Sequence, residues 1–138
     1  MKFRIPAAFL PLLLLLLLLL PFERALGQEP DYESLTSQSS SLKVFSQLSP
    51  VIINRIHSWE LVLTRSDGSP LTDAEITVIG GMPDHDHGLP TLPVVTRESR
   101  PGHYLLEGVR FHMPGRWQLS FTIRGPEGSE TAELDFEL

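Results

Sequence analysis

From residue 51 to the C-terminus, apolar and polar side chains alternate. In "HSWELVLTR", Trp59, Leu61 and Leu63 alternate with Glu60, Val62 and Thr64. In "RWQLSFTIR" the apolar set is Trp117, Leu119, Phe121 and Ile123. In "TAELDFEL" it is Ala132, Leu134, Phe136 and Leu138, set against Glu133, Asp135 and Glu137. A period of two sends successive side chains to opposite faces, so each stretch predicts a half-buried strand with one face in a core. "AEITVIG" and "HYLLEGV" predict shorter strands, and "PVVTRE" a weaker one. "SDGSP", "ESRPG" and "GPEGS" between them have the composition of turns. No stretch carries a convincing helical period. About six to seven strands with turns between them predict an all-β fold, a small antiparallel immunoglobulin-like β-sandwich over 51–138.

The first fifty residues read differently. Lys2 and Arg4 precede an apolar run from Ala7 to Phe22, and small Ala25 and Gly27 follow. That is the order of a secretory signal peptide over 1–27. The run has 16 residues, short of the ~20 that span a bilayer as a helix. Export to the periplasm or beyond is therefore expected, with membrane attachment only where the segment stays uncleaved. Residues 28–50, rich in Ser and Gln and ending at Pro50, predict a flexible tether.

Strand order predicts where the loops point. If consecutive strands run antiparallel and each crosses the sandwich, "GGMPDHDHGLP" and "RFHMPG" fall at the end where the first strand starts. His57, Met82, His85, His87, His112 and Met113 then collect at one end, and His103 falls at the other.

The chain has no cysteine, so neither disulfide nor thiolate is available. Its formal charge is −6, and Lys2, Arg4, Glu23 and Arg24 together carry +2, which leaves the part from Gln28 on near −8. Nucleic acid is excluded as a partner, because no basic stripe can neutralise phosphates. Imidazole binds copper and zinc, whereas a thioether is soft and selects Cu(I). In an extended segment, residues two apart share a side, so His85 and His87 can converge while Met82 approaches across Pro83. The candidate ligands are thus Met82, His85, His87, Met113, His57 and His112, with Cu(I) favoured and Zn(II) second. Asp84 or Asp86 could supply an oxygen to Zn(II) or Cu(II).

Plainer roles compete at each position. Met82 and Met113 can plug the end of the core. His85 and His87 can be solvated loop residues. His57 shares a strand face with Trp59 and Leu61, so a hydrogen-bonded imidazole is an equal reading. The loops hold no serine, and the chain lacks "GxSxG", a P-loop and a glycine fingerprint; an enzyme is not expected. The alternative to copper binding is a metal-independent protein-interaction module that uses the same loops.

At "NRIHSWEL", "GGMPDHDHGLPT" and "VRFHMPGRWQLSF" the chain resembles the YtkA-like family, related to the FixH-like proteins, which are small exported or membrane-tethered β-sandwich domains of bacteria. The resemblance covers about Val51 to Leu138. It implies periplasmic copper handling, with carriage, delivery or buffering of the ion. The partner it implies is a periplasmic or membrane cuproprotein such as an oxidase assembly component. The positions that carry over are Met82, His85, His87 and Met113, followed by His57. His112 stands where the family often has Asn, which makes it a local variant or a supporting hydrogen-bonder.

Overall fold

The computed structural model describes residues 28–138; the signal segment expected over 1–27 lies outside them. The described chain forms nine strands: β1 (Tyr32–Leu35), β2 (Ser41–Ser46), β3 (His57–Thr64), β4 (Glu75–Met82), β5 (His87–Gly88), β6 (Val94–Arg100), β7 (His103–Val109), β8 (Arg116–Gly125) and β9 (Gly128–Glu137). They pair antiparallel in two sheets, ordered β1-β2-β3-β7-β6 and β5-β4-β8-β9. The expected all-β sandwich is present, with more strands than the six or seven read from periodicity.

Alternation explains the packing. Along β3 every second residue is buried, from His57 through Trp59 and Leu61 to Leu63. Along β8 the buried set is Trp117, Leu119, Phe121 and Ile123. The two inner faces meet in a core whose largest fully buried side chains include Trp59, Trp117, Tyr104, Phe111 and Phe121. The Tyr104 hydroxyl ties the far end, donating to the Leu71 carbonyl at 2.8 Å and accepting from the Ala74 amide at 3.1 Å.

Residues 28–50 are not a tether. They supply β1 and β2, and β2 is hydrogen-bonded to β3 from Ser41↔Thr64 to Ser46↔Trp59. The Ser- and Gln-rich composition hid a short period-two pattern in which Leu42 and Val44 point inward. Tyr32 on β1 reaches across both sheets, with its ring centre 5.6 Å from that of Trp59 and 4.5 Å from that of Phe136. Past β1 the Thr36 hydroxyl bonds to buried Glu130, and the Ser37 amide donates to the Thr131 carbonyl at 2.7 Å. One side of the sandwich is closed by these contacts. The domain therefore begins upstream of Val51.

The registers fix the two ends. His57↔Val109, Met82↔His87 and Arg116↔Glu137 lie at one end. Val62↔His103 lies toward the other, so His103 is remote from the remaining histidines, as the strand order predicts.

Candidate metal centre

The β4–β5 hairpin carries the first donor set. Its reversal spans Pro83–Asp86, with the His85 amide donating to the Met82 carbonyl at 3.1 Å and Asp86 in the left-handed region at φ 51°. Asp tolerates that conformation because its short polar side chain bonds locally. β5 then folds back so closely that a Cβ on Gly81 would stand 2.1 Å from the His87 carbonyl oxygen. Glycine at 81 is thus what allows His87 to pair with Met82.

The second set sits on the segment between β7 and β8. Four hydrogen bonds at three of its residues pin this segment. The Asn54 amide donates to the Phe111 carbonyl at 2.7 Å, and the Trp117 indole N–H to the Met113 carbonyl at 3.1 Å. Gly115 and Leu138 exchange two backbone bonds, at 2.8 and 3.1 Å. Phe111 points into the core, and half-buried His112 packs its ring against Trp117 with centres 5.5 Å apart.

The two sets meet. The His87 ring lies between those of His85 and His112, with centres 6.2 Å and 5.9 Å away. His85 and His87 are exposed, as are Asp84 and Asp86 beside them. A shallow groove of about 420 Å³, lined by Gly81, Met82, Asp86, His87, Gln118 and Ser120, opens next to the pair. The two carboxylates favour a cation there.

The methionines lie deeper. Met82 is a core residue at 2% exposure, and Met113 is half-buried against the same core. Both do what plugs do, and both lie under the loops that carry the histidines. His57 belongs to the aromatic wall. Its ring is 6.1 Å from Trp59 and 6.1 Å from Phe111, and Nδ1 bonds to the Arg55 carbonyl at 3.1 Å. Burial pushes its pKa down, and the bond to Arg55 offsets this in part. The structure brings the His87 ring to those of His85 and His112, and leaves His57 on the core side.

Two imidazoles on one metal, each nitrogen about 2 Å from it, have ring centres roughly 5–6.5 Å apart, and both separations around His87 fall in that range. His112 Nδ1 is buried without a hydrogen-bond partner among the described residues; as a lone pair it can ligate. It is one of four such nitrogens, the others being His57 Nε2, Trp59 Nε1 and Arg110 Nε, all in the stretches 57–59 and 110–112 that meet at this end. Native folds leave few buried polar atoms unpaired. Among the described residues, no group of three or more His, Asp or Glu side chains is close enough to hold one ion.

Sequence reasoning did not find Trp117 under His112, or Gly115 against Met82. The "MPG-x-W" segment was the available signal, because a glycine two residues before a buried Trp marks a close approach of backbone to side chain.

One family model, described as YtkA-like, matches residues 36–122. No curated protein and no solved structure matches the chain.

Proposed function

Because the chain belongs to the YtkA-like family, and because its histidines converge on one end of the sandwich, we propose that it is an exported copper-binding protein that carries, delivers or buffers the ion. The observation that carries this reading is the position of the His87 ring between those of His85 and His112. His87 with either neighbour would hold the ion; of the two thioethers at this end, Met113 is half-buried on the segment that carries His112 and Met82 is a core residue, and a soft sulfur donor favours Cu(I) over Zn(II). Copper bound in this way would supply no chemistry of its own here; the protein's part is to hold it and let it go. Exposed His85 and His87 suit hand-over, because a ligand from another copper protein can approach from solvent.

Export rests on the basic start, the apolar run Ala7–Phe22 and the small residues at Ala25 and Gly27. The absence of cysteine suits an oxidising compartment, where thioether donors cannot be lost to disulfides. Binding rather than turnover fits loops without a serine nucleophile.

Anaerobic Cu(I) titration of untagged protein against a chromogenic chelator tests the proposal. Competition for the ion supports it, and no competition at any protein concentration removes it.

A second reading, an interaction module, is favoured by one observation. Ile52, Ile56 and Leu92 are exposed at 49%, 66% and 91%. All three sit on connections at the histidine end. Ile52 and Ile56 precede His57, and Thr91, next to Leu92, bonds through its hydroxyl to the Gly108 carbonyl near the end of β7.

A further inference from the structure

We infer that the end of the sandwich opposite the histidines holds a primary ammonium group, the head of a small amine or of a lysine side chain, against the carboxylate of Glu130. The inference stands apart from the copper reading and uses none of its residues. A cavity of about 140 Å³ opens there, between the β3–β4 and β8–β9 turns, with Gln38, Ser40, Arg65, Leu71, Glu127 and Glu130 in its wall. Ser40 and Glu130 are buried, at 3% and 9% exposure.

Hydrogen bonding holds Glu130 as an acceptor. The Thr36 hydroxyl oxygen accepts from the Ser40 amide at 3.0 Å and from the Gln38 amide at 3.3 Å. Both of its lone pairs are then occupied, so its proton goes to Glu130 Oε2. One hydroxyl thus holds Ser40 and Glu130 as neighbours on the cavity wall. Glu130 Oε1 and Ser40 Oγ have no hydrogen bond to any described residue. A carboxylate taken out of water needs a paired charge, and none of the four ion pairs among the described residues includes Glu130. Arg65, the one cation in the wall, bonds to Glu127 at 3.2 Å and donates to the Pro70 carbonyl. Those two charges cancel, and the charge of Glu130 is left over.

The ligand follows from these groups. A metal ion is not the match, because no three acidic or histidine side chains of the described residues converge on one point. A primary ammonium asks for one carboxylate and two further acceptors for its three N–H groups. Ser40 Oγ is one. Gln38, whose Nε2 donates to the Ser129 carbonyl at 3.0 Å, has its amide oxygen free as the other. Leu71 and Pro126 give an alkyl stem an apolar wall.

Titration of isotope-labelled, untagged protein with n-butylammonium, followed by backbone amide shifts, tests this. The expected result is saturable shifts confined to residues 36–40 and 125–130. They should be absent with tetramethylammonium, which has the charge and no N–H. Glu130→Gln keeps an acceptor for Thr36 and should weaken binding by about tenfold or more. Ser40→Ala leaves the Thr36–Glu130 bond in place and should weaken binding severalfold; it decides the matter should Glu130→Gln fail to fold, which the thermal midpoint reports. Nα-acetyl-lysine amide separates the sources: binding as tight as that of butylammonium assigns a lysine side chain, and binding of butylammonium alone assigns a free amine. No saturable shift with butylammonium overturns the inference. Equal shifts with tetramethylammonium, or undiminished binding by folded Glu130→Gln, also overturn it.

Discussion

The terminal methyl of Met82 lies against Gly115: a Cβ added at residue 115 would stand 2.9 Å from it. This contact joins the hairpin that carries His85 and His87 to the segment that carries His112.

Gly115 sits at φ 123°, a conformation that side chains disfavour. Gly115→Ala therefore adds backbone strain and pushes Met82 aside. The expected cost is about 1–3 kcal/mol, measured by urea unfolding, with a weaker hold on Cu(I) in chelator competition. Unchanged stability and affinity would show that the contact is not needed.

The chain has two tryptophans, and only Trp117 packs against a histidine of the cluster, at 5.5 Å from His112. Cu(II) bound between His87 and His112 should quench Trp117 emission. Trp59→Phe should keep the quenching and Trp117→Phe should lose it. Equal quenching in both variants would place the ion elsewhere.

His57 makes stability depend on pH. Its folded pKa lies below the usual 6.5 because burial disfavours the charged ring. The unfolded chain thus binds the proton first as pH falls. Stability is full above the unfolded value, declines as pH drops from about 6.5 toward the folded pKa, and is flat below that. The urea midpoint should fall between pH 7.5 and pH 5, and His57→Gln should fall less. His57→Gln should keep Cu(I) affinity, since His57 lies on the core side and its ring neighbours are Trp59 and Phe111. An identical pH response in the variant would assign the titration to another group.

Tyr32 bridges the sheets through Trp59 and Phe136. Tyr32→Ala should cost about 2 kcal/mol or more, read from urea unfolding. If residues 28–50 only tethered the domain, the change would cost nothing.

That last contrast shows where the sequence was legible. The long strands β3, β8 and β9 were read from their apolar alternation, because a half-buried strand needs a side chain of one kind at every second position. The end of the fold that collects the histidines followed from strand order alone. β1 and β2 were missed because only Leu42 and Val44 mark the inner face of "SLKVFS", too few to stand out against serine. The division of the histidines was also hidden. His57 and His87 differ by which face of the loop or strand they occupy, and at the start of β3 that face is set by a register shift between His57 and Trp59 against β7. No local pattern reports a shift made with a partner strand. Met82 and Met113 show a further limit. Thioethers beneath a candidate site and thioethers filling a core have the same sequence signature, and only burial separates them.

The most direct test of the account compares wild-type protein with His85→Ala/His87→Ala in anaerobic competition for Cu(I) against a chromogenic chelator. The account predicts that wild type withdraws the ion and that the variant, equally folded by thermal unfolding, loses affinity by about tenfold or more. Equal competition by the two proteins would contradict it.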